Sequence, residues 1–205
     1  MKGRIIDFYA GLGGASEAFV QDGRYQVVRI DNNVLLKDVQ CMYIEDIPKL
    51  NVGHIDMLFG EADLMIFAPP CTEFSLGYNA PRSIASRKGK LDEYKPDMSH
   101  LKKCLEIIKE CKPKYYIIEN VQGAVRYFEE YLGEHTQQIG PFYLWHNLPL
   151  LSLNTENKKK LSTHKSDSDV WSTHPLRSNI KAQWPIELSQ ALLESFRQPT
   201  LEEWL

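Results

Sequence analysis

"RIIDFYAGLGGASEAFVQDG", residues 4–23, is the stretch on which the fold turns. Residues 4–10 form an apolar run rich in branched and aromatic side chains, the pattern of a buried strand. Gly11-Leu12-Gly13-Gly14 follows as a turn, and residues 15–23 have helical composition and stop at a glycine. A strand that passes through a glycine turn into a helix is the first unit of a βαβ arrangement.

The same alternation continues outward. Residues 25–31 (YQVVRID) read as the next strand, 56–59 (DMLF) lie ahead of a turn, and 62–68 (ADLMIFA) read as a strong strand. Residues 99–114 carry apolar side chains at 101, 105, 107 and 108, a helical spacing closed by Pro113, and 115–121 (YYIIENV) return to β composition. Strands alternating with helices predict an α/β fold with a doubly wound, mostly parallel sheet. Residues 141–151 offer one more strand, 154–179 are polar and read as a long exposed segment, and 185–196 form a last helix with Pro185 in its first turn.

At 205 residues, 43% hydrophobic and 25% charged, the chain suits one domain with a real core. A net charge of −3 excludes a generally basic, polyanion-coating protein but leaves room for a local basic patch. Cys41, Cys71, Cys104 and Cys111 form no CxxC pair, and no metal site is expected. The first residues lack the apolar core of a signal peptide, and no run approaches the ~20 apolar residues that span a bilayer. A soluble, cytoplasmic protein without membrane contact is the expectation.

In a doubly wound sheet, ligands lie beyond the carboxyl ends of the strands. The glycine turn stands there, and Asp31 ends the second strand 24 positions after Asp7, where a carboxylate can accept hydrogen bonds from a ribose. Asp46 ends another short segment and suits an adenine edge. No GK[ST] follows the glycines and the GxGxxG spacing is missing, so a nucleoside without a pyrophosphate fits best. The strand at 62–68 delivers Pro69-Pro70-Cys71 to that edge, and 115–121 delivers Glu119 and Asn120. A thiolate can add to an electron-poor ring carbon while a carboxyl group protonates a ring nitrogen. Taken singly, each feature has a plainer reading as packing or a turn; three in order on successive strand ends favour chemistry.

Together these residues resemble the cytosine-C5 DNA methyltransferases that use S-adenosylmethionine. "DFYAGLGGASEAF" looks like their cofactor motif, "APPCTEFS" like their Pro-Cys motif and "IIENV" like their Glu-Asn-Val motif, over roughly residues 4–123. The resemblance implies a Rossmann-like methyltransferase fold and DNA cytosine as substrate, with Cys71 attacking C6 of a base flipped from its duplex. Glu119 would contact N3, and Asn120 would hold the Pro70–Cys71 loop. Tyr9, Ala10, Gly11, Leu12, Gly13 and Gly14 would line the cofactor with Pro69; Asp31 and Asn32 would meet its ribose, Asp46 and Ile47 its adenine. The helix at 185–196 is similar to one that returns to the cofactor side, with Ser189 as a contact.

Departures accompany the resemblance. Thr72 stands where glutamine is usual, Tyr9 where phenylalanine is, and the arginine-rich motif after Glu-Asn-Val is missing, which leaves Arg82 or Arg177 to supply its charge. The usual Gly-Asn-Ser-Val near the end is missing too. Only 65 residues separate Asn120 from Pro185, too few for a separate target-recognition domain, as in compact phage-type members. The organisation implied is a catalytic core at 1–150, a minimal recognition segment at 151–184 and a returning helix at 185–205. Residues 80–95 read as a long loop beside the cysteine; its Arg82, Arg87, Lys88 and Lys90, with Ser75 and Arg177, are the candidate DNA contacts, and Lys158, Lys159 and Lys160 form a second basic patch. Tyr143, Trp145, Trp171 and Trp184 pack the second half against the sheet or stack on bases. RNA or a free cytosine nucleotide as substrate, a non-catalytic binding module, and a partner subunit that reads the target stay open at this point.

Overall fold

The computed structural model describes residues 3–153 and 174–198 as a seven-stranded sheet with helices on both faces. In chain order the elements are β1 (Arg4–Phe8), α1 (Glu17–Asp22), β2 (Gln26–Asp31), β3 (Met42–Ile44), α2 (Ile55–Phe59), β4 (Leu64–Phe67), α3 (Pro81–Arg87), α4 (Ser99–Cys111), β5 (Tyr115–Asn120), α5 (Val125–Leu132), β6 (Gln137–Ile139), β7 (Phe142–His146), α6 (Arg177–Ala182) and α7 (Ile186–Arg197). The sheet order is β3-β2-β1-β4-β5-β7-β6. β1 to β5 run parallel, β7 is antiparallel to β5, and β6 is antiparallel to β7.

Strands buried on both faces read as near-continuous apolar runs, which is why β1 and β4 were legible in sequence. Alternate residues divide between two cores. Ile5, Val27, Leu64, Ile66 and Ile117 pack toward α1 and α7, whereas Ile6, Phe8, Val28, Met65, Phe67 and Ile118 pack toward α2, α4 and α5. Phe8 and Phe67, side by side in register, stack with centroids 4.9 Å apart. Phe8 also lies opposite Ile30, and Phe67 opposite Ile118, so β1, β2, β4 and β5 end along one edge. The chain leaves β1 toward β2 and β3, then returns to β4 on the other side. That reversal opens the crevice in which doubly wound proteins hold ligands.

Several segments depart from expectation. Residues 80–95, read as loop, contain α3: Pro81 starts it with a preset φ, and Gly89, at φ +68, turns the chain away after it. α5 went unread although Val125, Phe128 and Leu132 hold a helical spacing and pack on the core, and β6 because its three residues carry no alternation. Residues 177–179, read as part of a polar exposed segment, open α6. Pro185 caps α7 from outside instead of occupying its first turn. Lys158, Lys159, Lys160 and Trp171 lie outside the described residues. Among the described residues, no helix is long and apolar enough to cross a membrane.

Candidate active site

The glycine turn after β1 is tightly wound. Tyr9, Gly11 and Gly13 all adopt positive φ (58°, 53° and 78°), and the Gly13 N–H donates to the Ala10 carbonyl at 2.7 Å. Its glycines serve different ends. A Cβ on Gly13 would fall 2.3 Å from Cζ of Arg29, and one on Gly14 would fall 2.6 Å from the Trp184 carbonyl oxygen. At Gly11 the sole neighbour is the Asn179 amide nitrogen, 3.3 Å away. Gly13 and Gly14 are therefore required by internal packing, and Gly11 is the one that faces the crevice.

Arg29, fully buried on β2, braces the turn from below. Its guanidinium donates to the Ser16 hydroxyl (2.8 Å), the Gly13 carbonyl (2.8 Å), Glu17 (2.8 Å) and the Gln40 carbonyl (3.2 Å). Ser16 in turn donates to Asp7 at 2.7 Å. Burial pushes the Asp7 carboxyl up to about 6, with Ser16 and Arg29 pulling against it.

The expected cofactor residues divide between this turn, the ends of β2 and β3, and the buried interior. Asp31 sits half-buried at the end of β2 and accepts from the Gly11 N–H (2.9 Å) and the Asn33 N–H (3.0 Å); Asn32 beside it is exposed. The Tyr9 hydroxyl meets His100 Nδ1 on α4 at 3.2 Å, and burial, then the neighbouring Cys104, push its phenol upward. Asp46 is partly exposed and pairs with Lys49 at 2.7 Å. Ile47, by contrast, is 1% exposed and packs in the core, so its side chain offers nothing to an adenine. Ser189 is fully enclosed on α7; its hydroxyl donates to the Ala15 carbonyl (2.7 Å) and accepts from the Ala18 N–H (2.9 Å). Its part is to dock α7 on α1, and the expected cofactor contact is corrected accordingly.

β4 delivers the second half of the site. Pro69 and Pro70 end the ladder because neither has an N–H to donate. The chain then wraps into a turn in which the Cys71 carbonyl accepts from the N–H groups of Phe74 (3.0 Å) and Ser75 (2.9 Å). Phe74 anchors this turn in the core against Tyr127 and Phe128. The Asn120 amide, at the end of β5, donates to the Pro69 carbonyl at 3.0 Å and so ties the two strand ends together. Burial first, and Glu119 second, push the Cys71 thiol above its usual range. Burial likewise lifts the Glu119 carboxyl to about 7, while a hydrogen bond from the Trp184 indole pulls it back. A cavity of about 220 Å³ opens beside the turn, between Pro69, Pro70 and Thr72 on one side and His100 and Leu101 of α4 on the other. Among the described residues, no group of three or more His, Cys, Asp or Glu could hold a metal ion.

With this geometry in view, the comparison with known proteins is decisive on family. The model of the C-5 cytosine-specific DNA methylases matches residues 3–139. The chain belongs to that family. It is 25% identical over 150 residues to the type II methyltransferase M.DdeI of Desulfomicrobium norvegicum, covering 66% of this chain and 34% of that protein. It is 28% identical over 127 residues to M.HgiGI and to M.HgiDI of Herpetosiphon aurantiacus, covering 59% of this chain and 92% and 38% of theirs. The chain thus spans about a third of the length of M.DdeI. A prophage-encoded E. coli protein described as a DNA modification methyltransferase aligns with 21% identity and a TM-score of 0.42, over 62% of this chain and 34% of that one.

Three residues of this methylase-family chain escaped the sequence reading. A Cβ on Gly123 would fall 1.8 Å from the Phe74 carbonyl oxygen, so only glycine lets the cysteine turn approach the exit of β5. Its signal was available: a glycine soon after Glu119-Asn120. Asn179 of α6 lies over Gly11 and accepts from the Asn33 amide at 3.4 Å, a contact no local pattern announces. Trp184 was expected to pack against the sheet or stack on bases; that its indole reaches Glu119, at 3.4 Å, is what the sequence did not announce. The expected DNA contacts are dispersed. Ser75, Arg82 and Arg177 are partly buried, while Arg87, Lys88 and Lys90 are exposed at the end of α3, with Arg87 stacked 4.0 Å over the Tyr78 ring. Tyr143, Trp145 and Trp184 are all buried, which makes them packing residues and excludes base stacking.

Proposed function

We propose that the chain methylates C5 of cytosine in DNA, with Cys71 as nucleophile and Glu119 as the proton-holding acid. The observation that carries this reading is the pairing of those two groups on adjacent strand ends, coupled electrostatically and tied by Asn120 to the Pro69 carbonyl.

The pairing has a chemical logic. An ionised Glu119 raises the Cys71 thiol and so disfavours the thiolate. With its own titration near 7, Glu119 is available as the neutral acid close to physiological pH. After the Cys71 thiol gives its proton to water, Sγ bonds to C6 as the Glu119 proton passes to N3; the C5=C6 double bond is broken and C5 becomes the nucleophilic carbon of an enamine. Once C5 carries the methyl group, loss of its proton to water expels the Cys71 thiolate and restores the C5=C6 bond, and N3 returns its proton to Glu119. Asn120 contributes by fixing the cysteine turn.

The turn fits S-adenosylmethionine better than a dinucleotide. α1 has only six residues, and the Ser16 hydroxyl that precedes it is committed to Asp7 and Arg29, so no phosphate cradle exists there. Gly11 faces the crevice with the pinned Asp31 carboxylate beside it, which suits a ribose; Tyr9, Ala10, Leu12, Asn32, Asp46 and Pro69 would complete the enclosure, with Gly13 and Gly14 shaping the turn from within. When bound, that cofactor supplies an electrophilic methyl on a sulfonium. Arg87, Lys88 and Lys90, with Ser75, Arg82 and Arg177, would grip the phosphates of DNA whose target base is extruded. Residues 1–150 act as the core, α7 within 185–205 returns to it, and target reading falls to 151–184 or to a partner subunit.

The test is expression of the chain and of Cys71→Ser, followed by mass spectrometry of nucleosides from host DNA and RNA. Modified cytosine in DNA alone, lost in Cys71→Ser, is the expected outcome. Modification confined to RNA or nucleotide pools overturns the substrate. No modification despite measurable cofactor binding overturns catalysis and leaves a binding module. An oligonucleotide with 5-fluorocytosine should also trap Cys71 covalently, because the fluorine blocks the final proton loss.

A further inference from the structure

Trp184 stands where the glycine turn, the last helix and Glu119 converge. It is 4% exposed, and its main chain lies against Gly14 so closely that any side chain there would collide with it. Its ring packs at a tilt against Phe142 of β7, centroids 5.9 Å apart. Pro185 follows it as the cap of α7, and α7 is itself fastened to α1 through the Ser189 hydroxyl. An indole held on three sides has little freedom to turn. Its Nε1–H is directed at Glu119 Oε2, 3.4 Å away, a long hydrogen bond.

We propose that Trp184 is a positioning residue: its indole N–H occupies Oε2 of Glu119 and leaves Oε1 as the oxygen that carries the acid proton toward the substrate. The inference rests on the reading of Glu119 as the acid of methyl transfer. Its physical basis is the one-way nature of the indole, which donates and never accepts. Oε2 therefore acts as an acceptor in both protonation states, and because the carbonyl oxygen of a carboxylic acid is a better acceptor than its hydroxyl oxygen, the indole favours the neutral acid with its proton on Oε1. Among the described residues Oε1 has no hydrogen-bond partner.

The surroundings contain few groups that could do this instead. The loop after β4 brings the Cys71 thiol, whose titration is linked to that of Glu119. On β7, Leu144 stands opposite Glu119 in register, while the titratable Tyr143 and His146 pair with Asn120 and Ile117. The Asn120 amide is committed to the Pro69 carbonyl and the Val121 N–H. Trp184 supplies the hydrogen bond that works against the effect of burial on Glu119.

The experiment follows the Glu119 carboxyl by carbon NMR in the glutamate-labelled full chain without cofactor, its resonance assigned with Glu119→Gln. The wild-type midpoint is expected near 7. Trp184→Phe keeps an aromatic ring and removes the donor, so the midpoint should rise by roughly one pH unit. Phe142→Leu loosens the same packing and spares the N–H, so it should leave the midpoint in place. An unmoved midpoint in folded Trp184→Phe, or an equal shift in Phe142→Leu, overturns the proposal. Should Trp184→Phe fail to fold, the wild-type indole N–H resonance decides: it should titrate with the Glu119 midpoint, and a flat profile overturns the assignment. In turnover, Trp184→Phe should lower kcat and displace its pH profile upward while KM for S-adenosylmethionine holds; an unchanged profile counts against it. A wild type that methylates no cytosine, yet shows the midpoint shift, sinks the methyl-transfer reading and leaves the Trp184–Glu119 coupling standing.

Discussion

The turn after β1 and the turn after β4 leave neighbouring strands at one edge of the sheet, yet they are built by opposite means. The glycine turn is held from beneath by charge: within the core Arg29 reaches Gly13 and Ser16, and Ser16 reaches Asp7, while Glu17 meets Arg29 at the partly exposed margin. The cysteine turn is held from the side by shape. Phe74 fills a core socket, Asn120 grips the Pro69 carbonyl, and Gly123 opens the space into which the turn leans. On the proposed reading the first turn accommodates a whole nucleoside, which needs a stiff floor and an open face. A turn that presents one sulfur atom needs its position fixed from several directions.

This difference can be broken first at the floor. Arg29→Ala strands Asp7 and the Gly13 carbonyl in the core and should cost about 4 kcal/mol in urea unfolding. In whatever fraction stays folded, cofactor affinity should fall far more than the alkylation rate of Cys71. Equal losses in both would mean that the two turns are a single unit.

Gly123→Ala strikes the other turn. The new methyl group must displace the backbone at Phe74, at a cost of about 3 kcal/mol, and should abolish 5-fluorocytosine trapping while cofactor binding, read by calorimetry, persists. Full trapping in this variant would show that the cysteine turn is not fixed by shape.

A smaller and opposite effect is expected from Glu119→Gln. Because burial raises the Glu119 carboxyl from 4.5 to about 7, its ionisation in the folded protein is disfavoured. The stability this group allows is complete below about 4.5 and lost as pH rises through about 7. The variant should therefore match the wild type at pH 4 and exceed it by about 2 kcal/mol at pH 8. Removing the carboxylate also takes away the second of the two influences that raise the Cys71 thiol, so alkylation at pH 8 should quicken by a few-fold. Burial, the larger influence, remains, and the rate should stay below that of a free cysteine.

The first turn could be read from its residues because glycines in a row after an apolar strand have few other uses. The second could be read only in part. Pro69-Pro70-Cys71 and Glu119-Asn120 stand out locally, but Gly123 matters through a carbonyl 49 positions earlier in the chain. The same distance in sequence hid α6 and Trp184, whose segment carries a polar composition and no periodicity. Ser189 and Ile47 failed as ligand contacts for a related reason: a helix or strand end can be placed from pattern, whereas the direction in which one side chain points depends on what packs against it.

By itself the sequence determined the alternation of strands and helices, the parallel sheet, and the delivery of a glycine turn, a cysteine and a glutamate to one edge. Those features follow from local periodicity and from the handedness of βαβ connections, which act over a few dozen residues. The tertiary structure alone decided which glycines face the crevice and which are filled by Arg29 and Trp184. It also decided that Asn120 ties the cysteine turn to the end of β5 and that one indole reaches Glu119. Each of these depends on burial and on contacts between residues far apart in the chain, and such contacts exist only once the sheet has closed its two cores.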